Sequence, residues 1–284
     1  MPIPRILFPT DLSNRSLGMI PYVKTIAAKY DAEVILLYVA SPLYPIPATG
    51  YTGPAYIPVP KEVLAEERNE LEKFGADLLQ GIKVRHVLYE GDPAPQILEC
   101  VKSEELDLIA MPTHGRGDFR RFLIGSVTAK VLHDVSCPVL TGAHLKEPAG
   151  LKAGSISNVL CAVDLGGQSA DVINYASQLA SDFHARLNFV HAVPTDPLLS
   201  TDWREEAVNV ARLGLDAVLS ANRVTGADTC IEEGESAHVV CSVAKKIGAD
   251  LVVIGRGPQD GHFGRFTEHA YGIIRQSPCP VISI

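Results

Sequence analysis

The feature that most constrains this chain is an internal repeat. The segment NVLCAVDLGG at 158–167 has the layout of RILFPTDLSN at 5–14, which aligns Asp164 with Asp11. Four further pairs follow in the same order: ARLNFVHAV with AEVILLYVA, EGESAHVV with EGDPAPQI, ADLVVIGRG with LDLIAMPTH, and SPCPVISI with VSCPVLTG. Matches in unbroken order indicate a tandem duplication of one structural unit. We therefore predict two domains, 1–144 and 156–284, joined by a Gly/Pro/Ala-rich linker at 145–155.

Each copy alternates short apolar runs with amphipathic stretches. In the first copy we predict strands at 5–10, 33–40 and 83–89, and a charged amphipathic helix over 61–80. A near-continuous apolar run such as EVILLYVA is typical of a parallel strand covered by helices on both faces. Alternation of strands with helices implies right-handed crossovers. The predicted fold class is α/β, with a parallel sheet sandwiched by helices in each copy.

A Pro/Tyr/Gly-rich stretch at 41–60 separates the second strand of the first copy from its next helix. The corresponding stretch of the second copy, at 194–202, is shorter. Such a loop at the carboxyl end of a strand lies at the edge where open α/β sheets bind ligands. The interpretation stays open between a lid, a partner-binding arm and a disordered excursion.

The strongest functional signal is a strand, a glycine-rich loop and a helix start between 106 and 140. The predicted strand ends at Met111, the loop runs from 112 to 125, and Ser126 opens the helix, with Val127 in its first turn. Loop glycines let backbone N–H groups approach an anion, and the helix dipole favours negative charge there. This arrangement predicts a phosphate site in the first copy.

Several other function classes are disfavoured by composition and motifs. The net charge is −8, which argues against nucleic-acid binding and against a membrane-surface role. There is no GxxxxGK[ST], GxGxxG, GxSxG or HExxH, and the six cysteines form no CxxC pair. No apolar run approaches the length of a membrane-spanning helix, and the N-terminal residues do not have the pattern of a signal peptide. We expect a soluble cytoplasmic protein without a metal site or catalytic residues, in which Cys137 and Cys279 are packing residues.

Taken together, PTD, LLYV, EGDP, THGRG-x7-GS and SCPVL resemble the universal stress protein family, here as a tandem two-domain member. The resemblance implies a five-stranded parallel sheet in each copy, the fold shared with adenine nucleotide α-hydrolase-like proteins. It also implies that the copies pair through their last strands about a pseudo-two-fold axis. The chain would then be an intramolecular pseudo-dimer, with further homodimerisation open.

The nucleotide-binding branch of that family carries G-x2-G-x9-G-[ST] around the ATP phosphates, and an aspartate that contacts the nucleoside. Gly115, Gly125 and Ser126 match this motif, whereas Pro112 replaces its first glycine and lacks an N–H. Arg120 and Arg121 could supply countercharge. The cofactor that the resemblance implies is ATP, with Mg²⁺ as an optional companion. The implied nucleotide-binding residues are Thr10, Asp11, Val39, Ala40, Met111, Pro112, His114, Gly115, Arg116, Gly125, Ser126 and Val127.

In the second copy the motif is degraded. Gly255 matches, but Pro258 replaces the second glycine, and Thr267 and Glu268 replace Gly–Ser, so that a carboxylate stands where an anion would bind. Asp11 could cap the first helix, contact the ligand, or do both. Two hypotheses follow: an ATP-binding stress-response regulator or sensor that signals to a protein partner and hydrolyses ATP slowly at most, or a nucleotide-independent interaction module.

Overall fold

The strands and helices alternate through both halves of the chain, as the sequence predicts. The structure, a computed structural model, describes residues 2–41, 58–113, 124–142, 156–194, 200–257 and 267–284. The elements of the first copy are β1 Arg5–Thr10, α1 Asn14–Tyr30, β2 Glu33–Ala40, α2 Lys61–Lys73, β3 Lys83–Glu90, α3 Pro93–Glu104, β4 Leu108–Pro112, α4 Ser126–Asp134 and β5 Val139–Gly142. Those of the second copy are β6 Asn158–Ala162, α5 Ser169–Phe183, β7 Arg186–Val193, α6 Thr201–Ala221, β8 Asp228–Glu233, α7 Ser236–Ile247, β9 Leu251–Ile254, α8 Glu268–Gln276 and β10 Val281–Ser283.

The two copies share one sheet. The strand order is β3-β2-β1-β4-β5-β10-β9-β6-β7-β8, and every pair is parallel except β5 with β10. Each half is thus a five-stranded parallel sheet with the order 3-2-1-4-5, which confirms the predicted fold class. Pairing through the last strands is also confirmed, because Leu140 lies opposite Ile282 in an antiparallel register.

The antiparallel junction carries a matched pair of side-chain hydrogen bonds. Thr141 Oγ1 donates to the Val281 carbonyl at 3.3 Å, and Ser283 Oγ donates to the Val139 carbonyl at 3.5 Å. Thr141 and Ser283 occupy equivalent positions in the two copies, as do Val139 and Val281. The junction therefore follows the pseudo-two-fold symmetry that the repeat implies.

An apolar core covers each face of the sheet and runs through both copies. Alternate residues of β1 point to opposite faces, so Phe8 joins one core and Leu7 the other. Phe189 lies in the first core and Val190 in the second, which extends both cores into the second copy. In the parts of the chain that the structure describes, no helix has both the length and the apolar character needed to cross a bilayer.

The helix predicted over 61–80 is too long. It ends at Lys73, and the chain turns at Gly75, which has a φ of +64°. A Cβ atom at Gly75 would clash with Cδ1 of Ile20 on α1, so the backbone comes close to that helix. Residues Leu78 and Leu79, predicted to extend the helix, instead pack against the core from the turn.

The six cysteines are unpaired thiols, and all but Cys241 lie within or beside these cores. Burial raises the pKa of Cys137 to about 11 and that of Cys279 to about 12. Burial also raises the pKa of Cys161, which lies wholly inside the first core. Neutral thiols are poor nucleophiles, so this environment supports packing rather than redox chemistry for Cys137 and Cys279.

We predict that replacing Leu140 by alanine lowers the free energy of unfolding by about 2–5 kcal/mol, because its fully buried side chain lies at the junction of the two copies. Urea titration followed by circular dichroism should show a single unfolding transition, and the whole transition should move to lower urea concentration than in the wild type. As the control, Val63→Ala on the exposed side of α2 should change stability by no more than about 0.5 kcal/mol. A shift confined to half of the amplitude would mean that the copies unfold independently.

We also predict that stability falls as the pH rises from about 8 toward 11. Unfolded thiols lose their protons near a pKa of roughly 8.5, whereas the buried thiols keep theirs, so the unfolded state binds fewer protons and is favoured as the pH rises. Urea titrations across this range measure the slope. Cys161→Ala should make the slope less steep, because it removes one of the buried thiols, and an unchanged slope in that variant would assign the titration to other groups.

Candidate functional site

A cavity of about 370 Å³ lies at the carboxyl ends of β1 and β4. The chain leaves β1 toward β2 on one side, and β4 lies on the other, so this is the point where the strand order reverses and ligands bind in open α/β sheets. Its volume is within the usual range for small-molecule sites. The lining residues are Pro9, Thr10, Asp11, Ser16, Tyr38, Val39, Ser41, Pro93, Ile97, Met111, Pro112, Gly125, Ser126, Val127 and Thr128.

Most of the residues named from the sequence meet at this cavity. Those that line it are Thr10, Asp11, Val39, Met111, Pro112, Gly125, Ser126 and Val127. Ala40 does not line it: its side chain is fully buried, and its carbonyl accepts a hydrogen bond from the Gly91 N–H. His114, Gly115 and Arg116 lie outside the described residues, as do Arg120, Arg121, Pro258, most of the 41–60 stretch and the whole linker.

Asp11 divides its two carboxylate oxygens between two environments. Oδ1 accepts hydrogen bonds from the Ser13 N–H at 3.1 Å and from the Ser16 hydroxyl at 2.9 Å, which fixes the entry into α1. Ser13 itself is the N-cap of α1 and accepts from the Ser16 N–H. Oδ2 is buried and has no hydrogen-bond partner within the described part of the chain. A buried acceptor without a donor is costly, so Oδ2 suits a hydroxyl or amino group of a ligand.

The N-terminus of α4 also lines the cavity. Its N-cap is Gly125, which has no side chain to cover the first N–H groups of the helix. The Gly125 N–H donates to the Thr113 carbonyl at 2.7 Å, and the Thr128 hydroxyl donates to the Pro112 carbonyl at 3.0 Å. These bonds fix the first turn of α4 against the end of β4. The uncapped end of a helix carries a partial positive charge and favours an anion.

Apolar side chains line the same cavity. Val39, Ile97 and Met111 are almost fully buried and line the cavity, and Tyr38 lies beside them with its hydroxyl donating to Glu67 Oε1 at 3.0 Å. Such a surface suits a flat apolar group. Ile97 was not predicted from the sequence. The EGDP motif could have indicated it, because this motif places Pro93 at the start of α3, the helix that carries Ile97.

The second copy has an equivalent cavity of about 280 Å³, and its polar groups are more fully engaged. Asp164 Oδ1 accepts from the Gly166 N–H and the Ser169 hydroxyl, as Asp11 does in its own copy. The Thr267 hydroxyl, however, accepts from the Ala270 N–H and so caps α8. Gln168 Oε1 accepts from the Gly257 N–H at 3.2 Å. Two N–H groups at this cavity, those of Ala270 and Gly257, are therefore already bonded within the protein.

Groups that could hold a metal ion form no cluster of three or more His, Cys, Asp or Glu side chains in the described ranges. Among the described residues that line the first cavity, none is lysine or arginine. Countercharge for an anion there comes from the α4 dipole, and the arginines predicted for this role lie in the 114–123 segment, outside the described residues.

Comparison with known proteins identifies the architecture. A family model, described as the universal stress protein family, matches residues 2–141 and again residues 155–284. A universal stress protein of Methanocaldococcus jannaschii is 36% identical over 140 residues, which are 48% of this chain and 79% of that protein.

Solved structures agree with that match. A universal stress protein from Archaeoglobus fulgidus aligns over 100% of this chain and 98% of its own, at 22% identity and a TM-score of 0.73, which supports the fold. Another from the same organism, solved in complex with dAMP, aligns over 45% of this chain and 97% of its own, at 23% identity and a TM-score of 0.36. That alignment is too partial to carry an argument about a ligand in this chain.

Proposed function

The chain belongs to the universal stress protein family, and from that premise we propose that it binds one adenine nucleotide, ATP, in the cavity of the first copy. One observation supports the proposal: a single cavity is lined both by Asp11, whose buried carboxylate oxygen Oδ2 has no partner within the described residues, and by the N-terminus of α4, which has no side-chain cap. A nucleotide presents hydrogen-bond donors at its nucleoside end and negative charge at its phosphate end.

The residues present fit such a ligand. The Asp11 end would take the nucleoside, with Val39, Ile97 and Met111 against its flat faces. The phosphates would face the N–H groups at the start of α4, where the Ser126 hydroxyl is a further donor. ATP, with or without Mg²⁺, would supply the negative charge that this helix end attracts.

We propose that the protein is a regulator or sensor in the stress response and is not an enzyme. Asp11 is the one carboxylate that lines the first cavity within the described residues, and its Oδ1 is already engaged in capping, so any ATP hydrolysis would be slow. Nucleotide binding would favour one arrangement of the chain around the cavity, and a protein partner would bind that arrangement selectively. Six unpaired cysteines suit a reducing compartment, in keeping with a cytoplasmic location.

The alternative is a nucleotide-independent interaction module, and one observation favours it. Helix α6 exposes Trp203, Val210 and Leu213, each more than half accessible. These positions are spaced 7 and 3 residues apart, so they lie on one side of the helix. An exposed apolar stripe of this kind suits docking of another protein or of a second copy of the chain.

We predict that Gly125→Glu weakens ATP binding at least tenfold, because a carboxylate at the N-cap of α4 repels phosphate and occupies the N–H groups. Calorimetric titration of the wild type should give about one ATP per chain. Thr267→Glu, the same change at the equivalent position of the second copy, is the matched control and should leave the affinity within about twofold. If wild type and Gly125→Glu bind equally weakly, the interaction module is favoured instead.

We further predict that Asp11→Asn weakens binding of ATP and of adenosine by about tenfold, since a charge-assisted hydrogen bond from the nucleoside is lost. The Ser13 N–H and the Ser16 hydroxyl both need an acceptor, so the asparagine oxygen stays at the Oδ1 position and its NH₂ group takes the Oδ2 position. Asp164→Asn is the control in the second copy. Equal losses in the two variants would argue against a site confined to the first copy.

A further inference from the structure

The second copy holds helix α4 of the first copy at both of its ends. At the start, the Tyr271 hydroxyl on α8 accepts a hydrogen bond from the N–H of Ile124 at 2.9 Å, immediately before the N-cap Gly125. At the other end, the Arg256 guanidinium donates to four main-chain carbonyls. They are those of Leu132 at 3.4 Å, Val135 at 3.0 Å, Ser136 at 3.4 Å and Cys137 at 2.9 Å.

Arg256 is a buried cation, since its residue is only 2% exposed. Burying a charge is costly unless it is hydrogen-bonded, and here the carbonyls at the end of α4 supply that bonding. A positive charge at a helix C-terminus also interacts favourably with the helix dipole. The main chain of Arg256 joins two further parts of its own copy: its N–H donates to the Ile284 carbonyl, and its carbonyl accepts from the N–H of the α8 N-cap, Thr267.

The equivalent positions of the first copy carry much shorter side chains. Thr113 occupies the place of Arg256, because its N–H donates to the Gly142 carbonyl and its carbonyl accepts from the N-cap Gly125. Its side chain is a short hydroxyl, which donates to the Gly142 carbonyl of its own copy. Ala129 occupies the place of Tyr271, four residues after the N-cap, and a methyl group cannot accept a hydrogen bond.

We propose that the second copy acts as a support for the phosphate end of the first copy's site, with Tyr271 and Arg256 as its positioning residues. They hold the Ile124–Gly125 main chain and helix α4 in place before any ligand arrives, which lowers the ordering cost of binding an anion. This inference rests on the proposed nucleotide site and adds a role for the second copy. The support acts on α4 and not on Asp11, so it concerns phosphate and not the nucleoside.

The test compares ATP with adenosine, which lacks phosphate. Tyr271→Phe should weaken ATP binding about fivefold through loss of the hydrogen bond to Ile124, and leave adenosine affinity within about twofold. Tyr175→Phe is the matched control, because it removes a buried tyrosine hydroxyl of the same copy that has no partner within the described residues. Competition against a fluorescent ATP analogue gives both affinities. Equal losses for ATP and adenosine, or no loss for either, would overturn the proposal.

A second variant and a second measurement separate this inference from the nucleotide proposal. Arg256→Lys keeps the positive charge and loses the planar fork that reaches several carbonyls, so it should also weaken ATP selectively. Hydrogen exchange of the ligand-free protein should be faster at the Ile124 amide in Tyr271→Phe and unchanged in Tyr175→Phe. If the wild type binds no ATP, the proposed function fails, and the exchange result still decides whether Tyr271 fixes this loop end.

Discussion

The antiparallel pairing of β5 with β10 is the interaction on which the rest of the structure depends. Without it, each five-stranded sheet would end in an edge of unpaired N–H and C=O groups next to an exposed apolar core. The three residues of β10 pair with β9 on one side and β5 on the other, so they close both halves at once. The same pairing brings α8 beside the start of α4 and places Arg256 at the C-terminal end of α4.

Much of the fold could be predicted because its signals are local. Strands β1 and β2 have the bounds expected from their apolar runs, since a strand buried on both faces has little freedom in composition. The order of the repeat then implied two equivalent sheets. The end of α2 could not be predicted from the sequence. The helix stops where Gly75 comes close to Ile20 on another helix, and the apolar periodicity within 61–80 does not indicate that contact.

In the candidate site, too, residues in local motifs could be predicted and residues brought in by other elements could not. Asp11 and Gly125 stand in recognisable motifs at the ends of two strands, and both line the cavity. Ala40 was expected beside them from its place in β2, but its fully buried side chain lies outside the lining. Ile97 and Thr128 reach the cavity from helices, where their residue types are equally suited to plain packing. Tyr271 acts from the other copy, so no local pattern around Ile124 could indicate it.

Duplication within one chain explains how symmetric and asymmetric contacts coexist. At the junction, Thr141 and Ser283 make equivalent hydrogen bonds, as two identical subunits would. In a homodimer, however, every substitution appears on both sides of the axis. A tandem chain can place Arg256 and Tyr271 on one side alone, opposite Thr113 and Ala129.

The two helix starts can then diverge as well: Thr267 caps α8 from within, whereas Gly125 leaves α4 open toward the cavity. Because the copies share one sheet and continuous cores, loss of ligand groups in the second copy does not require loss of its structural contribution to the first.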